Sequence, residues 1–243
     1  MVRLALFDLD HTVLEGDSDQ LWGDFLRQKQ LVDDSYQQQK DLFYQDYCKG
    51  RLNIKDFIEF CGQTLMRFSK QQRLELGVEF QHQCLEKHLR PKAKAKIAYH
   101  QKQGDCVVLI SATNRYLVNL SASLLNIPFV IASEFAIDSK GESSKHNDQP
   151  CMTKLISTPA FQEGKVIRIR EWLEHNDLNF KSTIAYSDSH NDMPLLKWVD
   201  KAVAVNPDEK LKQYAVANNW EILDWRPTDF LTREQSIIEA NAL

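Results

Sequence analysis

The feature that most limits the fold is a series of short apolar runs separated by stretches with helical spacing. Continuous β-branched and aliphatic runs are typical of strands that are covered on both faces of a parallel sheet. Strands that alternate with helices predict an open α/β sheet, in which ligands bind beyond the carboxyl ends of the strands. The predicted strands are Val2–Phe7, Cys106–Ile110, Phe129–Ala132, Thr183–Tyr186, Ala202–Val205 and Glu221–Leu223.

The block between residues 16 and 90 breaks this alternation. Its apolar residues recur at helical spacing, as in Leu21–Leu26, without a strand-like run, and Pro91 marks the return to the α/β pattern. We therefore predict a helical domain of residues 16–90, inserted into an α/β core made of residues 1–15 and 91–243.

Composition excludes several classes of protein. Hydrophobic residues make up 43% of the 243 residues, which is enough for a substantial core and excludes wholesale disorder. The net charge of −4 argues against a nucleic-acid-binding surface, which needs a basic surplus. No leader pattern is present, and no apolar run approaches the roughly 20 residues that span a bilayer, so we expect a soluble, cytoplasmic protein without a transmembrane segment. The five cysteines include no C-x-x-C pair, which argues against a disulfide framework and a zinc cage.

The sharpest chemical signal is the sequence Asp8-Leu9-Asp10-His11-Thr12, which directly follows the first predicted strand. It places two carboxylates where a buried strand leaves the sheet. Burying unpaired charge costs free energy, so a purely structural role for this pair is improbable. A cation, or a phosphate-bearing ligand with its cation, would explain the pair, and oxygen ligands favour magnesium.

A second acidic cluster, Tyr186–Asp192, also ends an apolar strand. It contains Asp188 and Asp192, four positions apart, which one helical turn would place on the same side. Two acidic strand ends in one parallel sheet can converge on a single cation. The two clusters together therefore predict a metal site.

Two further motifs carry little information alone. Ser111-Ala112-Thr113 follows the second strand, and if it opens the next helix its hydroxyl and free N–H groups form an anion site. The lysine of Gly164-Lys165 opens a later helix, where the helix dipole disfavours a cation unless a negative group is close. Taken singly, these residues are better explained as an ordinary helix cap and a solvated lysine.

In order and context, the four pieces resemble the haloacid dehalogenase superfamily of phosphohydrolases, whose pattern is DxDxT, Ser or Thr, Lys and an acidic cluster. The phrases FDLDHTVLEGDSD, EGKV and YSDSHNDMPLL carry the resemblance, which covers nearly the whole chain. The helical insert resembles the cap of the phosphoserine phosphatase-like subfamily. The resemblance implies an open, parallel, Rossmann-like core sheet and a Mg²⁺-dependent phosphomonoesterase acting on a small phosphorylated substrate.

The resemblance also implies a role for each motif residue. Asp8 would be the nucleophile, and Asp10 would protonate the leaving alcohol and then activate water. Ser111, Ala112 and Lys165 would bind the phosphoryl group. Asp8, Asp188 and the main-chain carbonyl of Asp10 would bind the metal. Thr12, Asn191 and Asp192 would hold these groups in place, and the last two would orient Lys165 and metal-bound water.

The polar stretch Asp138–Pro150 departs from the family pattern, because its Lys140–Pro150 part is longer than usual. Its Gly, Ser, Asn and Pro residues predict a loop or a hairpin tip. The stretch leaves Gly164 and Lys165 intact, so we expect it to affect the entrance or an oligomer contact rather than the chemistry. The oligomeric state itself has no signal in the sequence.

Several alternatives stay open at this stage. Arg27, Arg51 and Arg67 of the insert either bind a substrate carboxylate or are solvated, and His11 and His190 could belong to a transition-metal site instead. The small substrate would be similar to phosphoserine or histidinol phosphate, and the alternatives are a lipid-phosphate phosphatase of the phosphatidylglycerophosphate or lysophosphatidate type, or a phosphotransferase. A regulatory module with a persistent phosphoaspartate is disfavoured by Asp10 and by the large insert.

Overall fold

A computed structural model of the chain describes residues 3–137 and 153–226. Six of its strands correspond to the predicted runs and begin or end within one residue of them, whereas two short strands, Phe135–Ile137 and Thr153–Leu155, were not predicted. The largest difference is the second strand, which continues four residues past its predicted end. The strands are β1 (Leu4–Phe7), β2 (Cys106–Asn114), β3 (Phe129–Ser133), β4 (Phe135–Ile137), β5 (Thr153–Leu155), β6 (Thr183–Ser187), β7 (Lys201–Val205) and β8 (Glu221–Leu223).

Six of these strands form one sheet in the order β3-β2-β1-β6-β7-β8, and every neighbouring pair is parallel. The register places Phe7 beside Leu109 on one side and beside Tyr186 on the other. The carboxyl ends of β1, β2 and β6 therefore meet at one edge of the sheet. The predicted open, parallel α/β architecture is confirmed.

The sheet is buried on both faces, which explains why its strands read as continuous apolar runs. Ala5 and Phe7 contribute to one apolar cluster, whereas Leu4 and Leu6 contribute to a second cluster on the opposite face. Alternate residues of β1 thus anchor helices on both sides, and all four are fully buried.

Helices cover the sheet and also form the whole of the insert between β1 and β2. The insert helices begin at side-chain caps: Asp17, Asp33, Asn53 and Ser69 each accept a hydrogen bond from a main-chain N–H of the following turn. The helices are α1 (Ser18–Gln28), α2 (Asp34–Cys48), α3 (Ile54–Met66), α4 (Lys70–Phe80), α5 (Glu86–His88), α6 (Pro91–Lys102), α7 (Arg115–Leu124), α8 (Glu163–His175), α9 (Met193–Trp198) and α10 (Glu209–Ala217), with single turns at Leu9–Val13, Gln81–Leu85 and His190–Asp192.

The chain enters and leaves the helical insert through two adjacent segments. Leu14 forms an antiparallel bridge with Leu89, and the Glu15 N–H donates to the His88 carbonyl at 2.7 Å. The Arg90 N–H donates to the Val13 carbonyl at 3.0 Å. This two-stranded crossing lies next to the predicted boundaries at residues 15/16 and 90/91, which remain a prediction.

The prediction that Ser111-Ala112-Thr113 opens a helix is wrong. β2 runs through these residues to Asn114, which pairs with Ser133 of β3 after an irregularity in the register. The Asn114 side chain then accepts a hydrogen bond from the Leu117 N–H at 3.2 Å and starts α7. A strand–helix junction with an asparagine cap therefore lies three residues later than the sequence indicated.

The predicted hairpin tip Asp138–Pro150 lies outside the described residues. The strands that flank it, β4 and β5, pair antiparallel, with Ile137 opposite Thr153. Within residues 3–137 and 153–226, none of the helices combines the length and the apolar character that a membrane crossing requires.

Candidate active site

The candidate site lies at the edge of the sheet where β1, β2 and β6 end, beside the first turn of α8. A cavity opens there between the sheet and the helical insert. Residues from both contribute to its wall. On the sheet side the lining residues are Asp8, Asp10, Ser111, Ala112, Thr113, Phe161, Lys165 and Asp192.

An ion-pair network lies at the base of this cavity. The Lys165 Nζ donates to Asp8 Oδ1 at 2.8 Å and to Asp192 Oδ2 at 2.7 Å. All three side chains are buried, with Asp8 7%, Lys165 2% and Asp192 3% exposed. The Ser187 hydroxyl also donates to Asp192 Oδ2, at 2.7 Å. Asp192 is thus held on two sides and keeps the Lys165 ammonium beside Asp8.

The charges in this network shift one another's pKa. Burial, with help from the Asp192 and Asp10 carboxylates, raises the pKa of Asp8 to about 7 in spite of its ion pair with Lys165. Burial alone would lower the pKa of Lys165, but the Asp192 and Asp8 carboxylates raise it above its ordinary value. Lys165 therefore stays in its charged form. Its single positive charge does not balance the negative charges of Asp8, Asp10 and Asp192 together.

Backbone geometry places Lys165 in this position. Gln162 adopts a left-handed conformation with φ of 51° just before α8, and the chain turns sharply there. A Cβ atom built on Gly164 would lie 1.9 Å from the Pro159 carbonyl oxygen, so only glycine fits without a backbone shift. Gly164 therefore lets the first turn of α8 approach the preceding loop and point Lys165 at Asp8.

Asp10 is held by donors from two other parts of the chain. The Ser18 N–H donates to Asp10 Oδ1 at 2.6 Å, and the Thr113 and Ser111 hydroxyls donate to Asp10 Oδ2 at 2.9 and 3.2 Å. Burial, followed by repulsion from Asp17, raises the pKa of Asp10. A carboxyl group with a raised pKa is suited to donate a proton and later to accept one.

Thr12 lies between the two acidic strand ends. Its Oγ1 is 3.0 Å from both Asp8 Oδ2 and Asp188 Oδ1, and it also accepts a hydrogen bond from the Asp188 N–H at 3.0 Å. A hydroxyl carries one proton, so Thr12 can donate to only one of these carboxylates at a time. Burial, followed by repulsion from Asp8, raises the pKa of Asp188 well above its ordinary range.

This surplus of carboxylate oxygen fits a hard divalent cation such as Mg²⁺. Asp8 and Asp188 would hold the ion with their side chains, and the third protein ligand would be the Asp10 main-chain carbonyl. Among the described residues, no three His, Cys, Asp or Glu side chains gather into a metal cluster. That finding gives no support to the alternative of a transition-metal site at His11 and His190, and the His190 ring instead bonds to Asp208 at 2.7 Å.

The remaining predicted site residues divide into two groups. Ser111 and Ala112 line the cavity next to Asp10, but on the end of a strand, so the predicted anion site at a helix N-terminus is not formed by them. Asn191 lies farther out: its Oδ1 accepts from Gln162 at 3.1 Å, and its Nδ2 donates to the Tyr47 carbonyl at 3.4 Å. The contacts of Asn191 thus join the sheet to the insert, and the predicted contact with Lys165 is made by Asp192 alone.

The insert supplies the outer wall of the cavity. This wall is acidic and aromatic, and the structure favours the solvated alternative for Arg27, Arg51 and Arg67, because none of them lines the cavity. Arg27 and Arg51 pair with Asp24 and Asp46 on the surface, and Arg67 is exposed. The lining residues from the insert are Asp17, Asp19, Gln20, Lys40, Phe43, Tyr44, Tyr47, Leu52, Ile54 and Phe57.

Sequence reasoning did not identify Thr113 and Ser187 as site residues, although both donate to a carboxylate of the network. The sequence pattern predicts a helix start at Thr113. The residue instead lies on β2, and nothing in the sequence indicated that the strand continues to it. Lys40 was missed for another reason, because its partner Asp19 is 21 positions away and no spacing rule joins them.

Comparisons with known proteins identify the family of the chain. A family model for haloacid dehalogenase-like hydrolases matches residues 5–197. A histidinol-phosphatase of Neisseria meningitidis is 35% identical over 230 residues, which cover 93% of this chain and 100% of the relative. A phosphoserine phosphatase of Mycobacterium tuberculosis is 27% identical over 93% of this chain and 72% of its own length.

Solved structures give the same result. A Bordetella pertussis protein of unknown function superposes with a TM-score of 0.82 at 31% identity, over 93% of this chain and 100% of the other. A substrate-bound phosphoserine phosphatase reaches a TM-score of 0.62 at 14% identity over 96% and 98% of the two chains, which shows a shared fold. Because the family model spans most of the residues and a relative matches over its full length, the chain belongs to the haloacid dehalogenase-like hydrolase family.

Proposed function

We propose that this phosphatase hydrolyses phosphate monoesters of small metabolites through a phosphoaspartate formed on Asp8. The observation that carries the proposal is the contact of Asp8 Oδ1 with the buried Lys165 ammonium at 2.8 Å, in the wall of a cavity that Asp10 also lines. A buried cation beside the nucleophile offsets its repulsion of a dianionic phosphate. The relatives named histidinol-phosphatase and phosphoserine phosphatase support a substrate of that size.

The first chemical step forms a bond between an Asp8 carboxylate oxygen and phosphorus while the bond from phosphorus to the ester oxygen breaks. Asp10 gives its proton to the departing alcohol oxygen, and the raised pKa of Asp10 favours the protonated form that this step needs. Lys165 compensates charge on the phosphoryl oxygens. The products of this step are the free alcohol and phosphorylated Asp8.

In the second step, Asp10 takes a proton from a water molecule, whose oxygen attacks phosphorus. The bond between phosphorus and Asp8 breaks, which restores the carboxylate and releases inorganic phosphate. When bound by Asp8, Asp188 and the Asp10 carbonyl, Mg²⁺ would supply additional positive charge at the phosphoryl group. Thr12 and Asp192 keep Asp8, Asp188 and Lys165 in place throughout.

Substitution of the nucleophile tests the proposal. Asp8→Asn is expected to lower phosphate release from para-nitrophenyl phosphate by a factor on the order of 10⁴ or more, because the amide does not form the acyl phosphate. Asp24→Asn is a matched control, since Asp24 is half exposed and pairs only with Arg27 on the surface. Activity in Asp8→Asn close to that of the control would refute the assignment, provided that both variants keep the circular dichroism of the parent.

Removal of divalent ions tests the cofactor separately. EDTA is expected to abolish phosphate release, and added Mg²⁺ is expected to restore it, because the Asp8 and Asp188 carboxylates share the Thr12 hydroxyl as a donor without the ion. A titration of activity against free Mg²⁺ measures the requirement. Full activity in the chelated enzyme would show that the metal assignment is wrong while leaving the role of Asp8 open to its own test.

A further inference from the structure

The most unusual buried group outside the phosphate site is the carboxylate of Asp19, on the first turn of α1. Asp19 is 3% exposed and lies in the wall of the cavity. Its Oδ1 accepts from Asn114 Nδ2 and from the Cys61 thiol, both at 3.4 Å, whereas its Oδ2 is buried and has no hydrogen-bond partner within the described residues. An unpartnered buried carboxylate oxygen costs free energy that a bound cation or donor would recover.

The charges around Asp19 do not remove this deficit. Lys40 is 1% exposed, and its ammonium bonds to the Asp19 main-chain carbonyl and lies 3.8 Å from Asp19 Oδ1. Asp17, also in the cavity wall, adds a second carboxylate on the same side. Burial raises the pKa of both Asp17 and Asp19, and each group is destabilised by another carboxylate nearby. The outer part of the cavity thus holds two buried carboxyl groups whose ionised forms a bound cation would stabilise.

The rest of the outer wall also suits a cation. Aromatic rings line it, and the faces of such rings attract ammonium and imidazolium groups. Its cationic side chains are Lys165, at the base, and Lys40, which is already bonded to Asp19. Among residues 3–137 and 153–226, no arginine or histidine belongs to the lining. The rings in the wall are those of Phe43, Tyr44, Tyr47, Phe57 and Phe161.

We infer that Asp19 is a specificity-determining residue that binds an ammonium group on the alcohol portion of the substrate, and that this alcohol portion carries no carboxylate. This inference rests on the proposed function and narrows it, because it separates cationic amino alcohol phosphates from phosphorylated amino acids. Asp19 Oδ2 accepts the hydrogen bond of the cation, and Asp17 adds electrostatic attraction. A substrate carboxylate in the same position would be repelled by the Asp17 and Asp19 carboxylates. It would also lose its bound water without gaining a cationic partner, which would weaken binding.

The competing interpretation is that Lys40 binds a substrate carboxylate, as a cavity for phosphoserine would require. In the structure the Lys40 ammonium is directed at Asp19 on the protein side, so it would have to leave that partner to reach a substrate. The two interpretations predict opposite preferences between substrates that differ in one group. Substrate preference therefore distinguishes them without any mutation.

The first experiment measures kcat/KM of the unmodified enzyme for three monoesters: histidinol phosphate, N-acetylhistidinol phosphate and phosphoserine. N-acetylhistidinol phosphate has no ammonium group to pair with Asp19, and the carboxylate of phosphoserine is repelled there. The loss of such a buried, hydrogen-bonded charge pair predicts that kcat/KM for histidinol phosphate exceeds that for either other ester by at least roughly 30-fold. Equal rates for histidinol phosphate and its acetylated form, or a preference for phosphoserine, would overturn the inference. If none of these esters nor para-nitrophenyl phosphate releases phosphate, the proposed function itself has failed.

The second experiment assigns the preference to Asp19. In Asp19→Asn, the ratio of kcat/KM for histidinol phosphate to kcat/KM for para-nitrophenyl phosphate is expected to fall roughly 30-fold or more, since the second ester has no cationic group. Asp24→Asn on the same helix is the matched control. An unchanged ratio in a folded Asp19→Asn variant contradicts the role of Asp19. If that variant fails to fold, the substrate series on the unmodified enzyme decides the inference.

Discussion

The two ends of the cavity are built in different ways. At the phosphate end, Asp8 and Asp188 directly follow β1 and β6, and Ser111 lies within β2, so main-chain hydrogen bonds between these strands fix their positions. At the outer end, the lining comes from helices of the insert, and only Tyr36 and Lys40 are buried among the 15 residues of α2. The groups around Asp8 are thus positioned by the sheet and by the first turn of α8, whereas the outer wall consists mainly of side chains of the insert.

The largest expected difference between the two ends comes from Lys165→Met. Its removal leaves Asp8 and Asp192 without their common cation, and we expect phosphate release to fall by a factor on the order of 10³. Loss of one partner from a buried ion pair also predicts a decrease of about 3–5 kcal/mol in the free energy of unfolding. Para-nitrophenyl phosphate assays and urea unfolding measure the two effects.

Lys102→Met, at the exposed end of α6, is the matched control for this substitution. Its activity and its free energy of unfolding are expected to stay close to those of the parent. If Lys165→Met behaves like Lys102→Met in the activity assay, the phosphate end is not organised around Lys165, and the contrast between the two ends loses its basis.

A smaller effect is expected from Gly164→Ala. The added Cβ would lie 1.9 Å from the Pro159 carbonyl oxygen, so the first turn of α8 must shift and move Lys165 with it. A displacement of about 1 Å in a positioning element predicts a loss of roughly 100-fold in kcat/KM. Steady-state kinetics with a small ester measure the loss.

Gly23→Ala in α1 sharpens this comparison, because a Cβ at Gly23 meets its nearest atoms at 3.4 Å, an ordinary contact. The replacement of glycine by alanine inside a helix is expected to raise the free energy of unfolding by up to about 1 kcal/mol. Equal kinetics for Gly164→Ala and Gly23→Ala would argue that the position of Lys165 tolerates a shift of its helix.

The smallest expected effect is that of Tyr47→Phe, which removes one contact between the insert and the core. The Tyr47 hydroxyl donates to Ser189 Oγ at 3.3 Å, a long hydrogen bond, so the free energy of unfolding is expected to fall by no more than about 1 kcal/mol. A rise of KM without a change of kcat is the expected kinetic result. A large decrease of kcat would mean that this contact affects the reacting groups directly.

The same contrast explains what the sequence could predict. The acidic strand ends at Asp8 and Asp188 were predictable, because parallel strands bring their carboxyl ends to one edge and each motif directly follows an apolar run. Gly164-Lys165 was also placed correctly at the start of a helix. These features depend on local order along the chain and on a general property of parallel sheets.

Other features depend on contacts between distant segments. The hydrogen bond from Thr113 to Asp10 joins β2 to the turn after β1. It forms because β2 continues past Ile110 to Asn114. The motif Ser111–Thr113 gave no sign of this continuation in the sequence. The pairing of Lys40 with Asp19 joins two helices whose relative rotation no local pattern encodes. The outer wall of the cavity is therefore the part of the site that could not be predicted from the sequence and is seen only in the structure.

The two-stranded crossing at Leu14 and Leu89 has an evolutionary consequence. The chain leaves the core and returns to it at adjacent positions. The segment between Leu14 and Leu89 can therefore be shortened, lengthened or replaced without a change in the strand order of the sheet. One contiguous piece of coding sequence then supplies most of the outer wall of the cavity. Descendants of one ancestor are thereby free to acquire new substrates while inheriting an unaltered reaction.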